Sequence, residues 1–108
     1  MSLESIHKEK NVSALDVAKA LLDFGIHPPT MYFPLIVDEA LMVEPTETES
    51  REVLDNAIEA FRAIYKKIID SPAAVAASPV TTPIKRLDEV GAARHPILKY
   101  DFSQEKAE

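Results

Sequence analysis

Three short stretches of this 108-residue chain carry side chains whose types and spacing could do chemistry. In Ile26-His27-Pro28-Pro29-Thr30, an imidazole could serve as a general base or as a donor to a phosphate. In Glu44-Pro45-Thr46-Glu47-Thr48-Glu49, the carboxylates of Glu44, Glu47 and Glu49 could gather a hard cation through oxygen ligands. In Arg86-Leu87-Asp88-Glu89-Val90, with Arg94-His95 close behind, an arginine could clamp a carboxylate in two-point contact. Each stretch also has a plain structural account, and spacing alone favours it. A loop histidine can stand beside a rigid Pro-Pro turn, acids stabilise a helix N-terminus without a metal, and charge commonly coats a short amphipathic helix.

The missing residue types narrow the field. The chain has no cysteine, which removes disulfides, thiolate metal sites and cysteine nucleophiles. No Gly-x-Gly-x-x-Gly, Walker-type loop or Gly-x-Ser-x-Gly elbow occurs, and the two glycines, Gly25 and Gly91, are too few for a phosphate cradle. His7, His27 and His95 stand too far apart for zinc-ligand spacing, so no metal is expected. A net charge of −6 without a Lys/Arg cluster argues against nucleic acid or an anionic membrane as partner. No apolar run nears the roughly 20 residues that span a bilayer. The start, Met1-Ser2-Leu3-Glu4, lacks the features of a signal peptide; Met1 to Leu3 read as an added leader, and the expected location is cytoplasmic.

The elements that would position these residues follow from periodicity. Residues 1–12 are polar and aperiodic, which predicts a flexible N-terminal arm. Ser13 can cap a helix, with Asp16 three residues on, and Ala14, Leu15, Ala18, Leu21 and Leu22 form its apolar face before Gly25 stops it. Pro28 and Pro29 forbid further helix. Met31 to Val37 and Ala40 to Val43 read as two short strands, the first limited by Pro34. Thr46 with Glu49 is a capping box for a second helix, with Thr48 as a competing cap. Its stripe is Leu54, Ala57, Ile58, Phe61, Ile64, Tyr65 and Ile68, ending near Asp70. Residues 71–85 form a Pro- and Ala-rich connector, and 86–108 a short helix from Leu87 to Arg94 with an extended, charged tail. The expected fold is α+β in two layers, helices packed on a short sheet, with its core in 13–70. Apolar residues at 46% suffice for such a core. Residue types and spacing stop there, at a domain without a self-contained active site.

A resemblance carries the reading further. Leu15-Asp16-Val17-Ala18-Lys19, Leu22-Asp23-Phe24-Gly25-Ile26-His27-Pro28-Pro29-Thr30-Met31-Tyr32-Phe33-Pro34 and Leu41-Met42-Val43-Glu44-Pro45-Thr46-Glu47-Thr48-Glu49-Ser50 are similar to the signature of glycine dehydrogenase (decarboxylating), the P-protein of the glycine cleavage system. Thr82-Pro83 and Arg86-Leu87-Asp88-Glu89-Val90 with Ala93-Arg94 continue the likeness, which covers about residues 12–100 and looks most like the C-terminal region of the bacterial subunit 2. The resemblance implies the small C-terminal domain of a fold-type I enzyme. In that family pyridoxal phosphate is the electron sink for glycine decarboxylation, and the aminomethyl group passes to the lipoyl arm of the H-protein. It implies as partners the large cofactor domain of the same chain, subunit 1, the lipoylated H-protein and glycine.

By the same resemblance the Schiff-base lysine belongs to the large domain. This chain is therefore expected to be a separated piece, inactive alone, without bound cofactor, and prone to self-association through uncovered apolar surface. His27, Thr30, Glu44 and Thr46 are expected to face the cofactor cleft. His27 would touch cofactor or the glycine carboxylate, and Glu44 or Thr46 would steer substrate or cap the next helix. Two other classes remain: a free-standing interaction module using the face near Leu35, Ile36 and Val37, and an acidic metal-binding protein using Glu44, Glu47 and Glu49.

Overall fold

Ser13 starts the central helix as expected. Its hydroxyl accepts from the Asp16 amide at 3.2 Å, while the Asp16 carboxylate accepts from the Ser13 amide at 2.9 Å, closing a reciprocal capping box. In this computed structural model, which describes residues 1–100 and Phe102, the helix so capped is α2, Ala14–Leu22. Its last turn tightens through Asp23 and Phe24 into a Schellman pair: the Gly25 amide donates to Leu22 O at 3.0 Å and the Ile26 amide to Leu21 O at 3.1 Å. That closure needs φ of +71° at Gly25, where a side chain would be strained. The buried face is Ala14, Val17, Ala18, Ala20 and Leu21; the expected Leu15 and Leu22 lie at its half-buried margins.

The polar start of the chain is not a loose arm. Residues Glu4–Lys10 form helix α1, ended by Asn11 in the left-handed region (φ +54°), with Leu3 and Val12 buried at its two ends. The charged residues hid it, since Lys and Glu are good helix formers and Glu4 pairs with Lys8 one turn on. Met1 to Leu3 pair with the sheet. The Met1 and Leu41 backbones exchange both hydrogen bonds, at 3.0 and 2.9 Å, Ser2 bridges Ala40, and the Leu3 amide donates to Glu39 O at 2.9 Å.

The sheet is shorter than its apolar runs suggest. Strand β1, Thr30–Met31, pairs antiparallel with β2, Leu41–Met42, in the register Thr30 to Met42 and Met31 to Leu41. Residues 1–3 flank the other edge of β2, so Leu41 is central and fully buried. The run Met31 to Val37 was expected to be a strand. It leaves the sheet at Tyr32, whose φ is +57°, and turns at Pro34, leaving Leu35 and Ile36 in solvent. Proline has no N–H to continue a ladder.

Helix α3, Arg51–Asp70, begins later than the Thr46 capping box implied. Ser50 is the cap, its hydroxyl accepting from the Val53 amide at 3.2 Å, while the Thr46 and Thr48 hydroxyls bond each other at 2.7 Å. Ala60, Ile64 and Ile68 are its buried face; Ile58 and Tyr65, from the expected stripe, are exposed. The connector also folds. Pro72, suited to the first turn, opens helix α4, Pro72–Ala76, and Val75, Ser78 and Pro79 are buried. The last helix, α5, Glu89–Arg94, starts two residues after Leu87. Its cap Asp88 accepts from the Gly91 amide, and a β-carbon on Gly91 would collide with that carboxylate. The charged tail after Phe102 lies outside the described residues.

The result is α+β, helices on a short antiparallel sheet, as expected. Helix α2 is the hub, packing on α3, α4 and β1. The core joins Leu3, Val12, Val17, Leu21, Leu41, Ile64, Ile68 and Val75, and so draws on both segments thought to lie outside it. Truncating Leu3 to Ala should therefore cost about 2–4 kcal/mol, measured by urea unfolding. An unchanged midpoint would mean that residues 1–3 do not share this core.

Candidate functional site

An open cleft of about 1260 Å³ runs between the loop after α2, the end of β2 and the first half of α3. His27 and Thr30 reach it because the Pro28-Pro29 pair holds the chain extended after the Schellman closure. Glu44 follows directly from β2, and α3 supplies the opposite wall with Val53, Leu54, Ala57 and Phe61. His27 and Thr30 thus line one cleft with Glu44, which follows a different strand. Thr46, the fourth expected residue, is not among the lining residues and bonds Thr48 instead.

The cleft has an apolar floor and an acidic rim. Glu49 and Glu59 join Glu44, and the lining contains neither lysine nor arginine. Such a surface attracts cations and hydrogen-bond donors, and His27 adds one imidazole to it. Glu49, Glu59 and Phe61 were not foreseen here. Their positions on a helix were readable, but not the loop that α3 would face. Glu44, Glu47 and Glu49 do not converge: among the described residues no three His, Asp or Glu side chains form a metal-ligating group.

Arg86 turns out to be a clamp inside the domain. Its guanidinium donates to Asp16 Oδ1 at 2.8 Å, to Ala76 O at 2.8 Å and to Ser78 O. It thereby ties the end of α4 to the capped start of α2. Burial by itself raises the Asp16 carboxyl, but the Ser13 bonds and the Arg86 guanidinium outweigh it and hold the group below the usual carboxylate range. Asp23, at the other end of α2, accepts from the Val80 amide at 2.7 Å and from the Thr81 amide and hydroxyl at 2.8 Å. There too burial opposes ionisation, and the bonds from Thr81 and Val80 prevail, so its carboxyl also sits low. The buried Ser78 hydroxyl approaches the same carboxylate without completing a well-formed bond. Neither aspartate lines the cleft. Each fixes an element that does.

Comparison with known proteins agrees on the source of this arrangement. Residues 1–86 match the family model described as glycine dehydrogenase, C-terminal domain. A probable glycine dehydrogenase (decarboxylating) subunit 2 from Thermosipho melanesiensis is 53% identical over 102 residues, 94% of this chain and 21% of the relative. The like-named protein of Shouchella clausii is 57% identical over 98 residues, 91% of this chain and 20% of its own length. That of Thermococcus onnurineus is 52% identical over 107 residues, 99% of this chain and 21% of its own. The chain therefore spans about a fifth of the length of the curated relatives it matches.

The paired aspartates set a pH dependence. Both carboxyls titrate lower folded than unfolded, so the stability they add is complete above the unfolded carboxylate range and is lost as pH falls through their folded values. Urea midpoints should fall with acid below that range, and Asp23→Asn should flatten the fall. Arg86→Ala should lower stability by about 1–3 kcal/mol at neutral pH, by freeing two carbonyls and one carboxylate. A midpoint that does not move on losing Arg86 would reduce the clamp to a surface contact.

Proposed function

The chain belongs to the glycine dehydrogenase C-terminal domain family, and we propose that it supplies the small-domain wall of the catalytic cleft in a subunit 2 of glycine dehydrogenase. On this reading the whole enzyme decarboxylates glycine with pyridoxal phosphate and passes the aminomethyl group to the lipoyl arm of the H-protein. It works in the cytoplasm with subunit 1. The observation that supports the reading is the convergence of His27, Thr30 and Glu44 on one open cleft.

The cleft lining does not fit pyridoxal phosphate unaided. It has no lysine to form an imine and no basic side chain to counter a phosphate. Elsewhere Lys8 pairs with Glu4, Lys19 with Glu89, and Lys85 donates to Val80 O. Both anchors would come from the large domain, and the piece by itself would be inactive. The contribution of this chain is then shape and polarity: the Phe24, Pro28 and Phe61 region excludes water, His27 bonds a carboxylate or cofactor oxygen, and Glu44 attracts a substrate ammonium. Thr30 stands at the strand end beside them.

The test is glycine–bicarbonate carboxyl exchange by a complete subunit 2 ending in this sequence, with subunit 1, H-protein and pyridoxal phosphate. His27→Ala and Glu44→Gln should each lower kcat/KM by about 10- to 100-fold, while Lys66→Gln, exposed on α3 and outside the cleft, should leave it unchanged. Full activity in both cleft variants would remove their assigned roles. A second expectation concerns the chain alone. Its uncovered apolar groups, among them Phe33, Leu35, Ile36 and Val53, should drive concentration-dependent association in sedimentation. A monodisperse monomer at high concentration would contradict it.

A further inference from the structure

The cleft and its tethers leave one apolar feature unused, the segment that follows α5. Ile97 and Leu98 are 91% and 92% exposed, and Phe102 is 78% exposed. Leu98, Tyr100 and Phe102 lie close together in sequence beyond α5, with a bend at Lys99 and Phe102 in a tight 3-10 turn. The Tyr100 and Phe102 rings already meet edge to face, with centroids 4.7 Å apart. The Cα radius of gyration, 16.8 Å, exceeds the roughly 13 Å of a compact chain of about this length, as expected when a segment stands away from the core. Solvent-directed leucine and aromatic side chains grouped in this way mark a contact surface.

The comparisons indicate what covers it. The family model ends at Arg86, but the Thermococcus onnurineus relative aligns with 99% of this chain, so the segment belongs to what the two share. The chain is only 21% of that relative's length, leaving about four-fifths of a subunit 2 outside this structure. We infer that Pro96 to Tyr100, with Phe102, form a docking strap that lays Leu98, Tyr100 and Phe102 into an apolar groove on the remainder of subunit 2. This rests on the function proposed above and adds a second anchor, separate from the cleft. The strap holds the small domain from its C-terminal side, while α2 and α3 present the cleft.

Hydrogen exchange read by mass spectrometry separates the two ideas. It compares the 108-residue chain, dilute and concentrated, with a complete subunit 2 ending in this sequence. Amides at 97–100 should exchange quickly in the dilute chain and on the order of 100-fold more slowly in the complete subunit. Leu98→Glu with Phe102→Glu should restore fast exchange there, yet leave the melting of the short chain unchanged. Protection of the cleft segment 24–30 with a freely exchanging strap would overturn the strap and spare the docking reading. Free exchange at both would overturn both. Protection that appears in the short chain on concentration would assign the strap to a second copy and overturn the inference. So would persistence of protection in the double variant.

Discussion

Everything else in this domain depends on holding both ends of a nine-residue helix. A helix that short is not stable in water on its own, yet α2 touches the sheet, α3 and α4 and supplies the largest share of the core. Carboxylates fix both of its ends. Asp16 closes the capping box and takes the Arg86 guanidinium. Glu39, held at φ +50° beside the sheet, accepts from the Ala14 amide at 2.5 Å. Asp23 gathers Val80 and Thr81 at the far end. Charge-assisted hydrogen bonds are about twice as strong as neutral ones, and here they connect segments up to 70 residues apart.

The tethers also place the cleft. Asp23 fixes the end of α2 just ahead of Gly25, and the Schellman turn then sends Ile26 inward and His27 outward. Leu41, central in the sheet, sets where Glu44 emerges. The far wall comes from α3, anchored on α2 through Ala60, Ile64 and Ile68 while its first turns stand free of the core. The cleft is therefore walled on one side by tightly packed residues and open on the other. Apolar groups left in solvent at Phe33, Leu35, Ile36 and Leu98 surround a core made mostly of alanine, valine and leucine. A domain of this size has little apolar surface to spare, so that distribution is what the docking proposed above requires.

Local signals in the sequence were reliable where one residue type forces one geometry. The Ser13 and Asp16 box, the positive φ at Gly25, the break at Pro28-Pro29 and the period of α3 were all legible, because caps, glycine turns and helical stripes act within a few residues. The reading failed where a choice among equivalent local options was made elsewhere in the chain. Thr46, Thr48 and Ser50 can each cap a helix; packing of Ala60, Ile64 and Ile68 on α2 is compatible with a start at Arg51, and Ser50 takes the role. Glu4 to Lys10 carry almost no apolar pattern, and Leu3 and Val12, buried through contacts with distant segments, together with Ile6 packed on the core, hold that stretch in place.

By itself the sequence determined the fold class, the central helix with its stops, and, through its dense likeness to one family, the membership that the comparisons bear out; it offered His27, Thr30, Glu44 and Thr46 as candidates. Only the tertiary structure decided that the first three share a cleft and that Thr46 does not line it. It also decided that Arg86 is an internal clamp, and that residues 1–12 and 71–85 complete the core. The reason is one of range. Capping, turns and helical periodicity are settled between near neighbours, whereas a cleft, a clamp and a core are agreements between segments tens of residues apart, whose cost in chain entropy is met only when the whole domain closes.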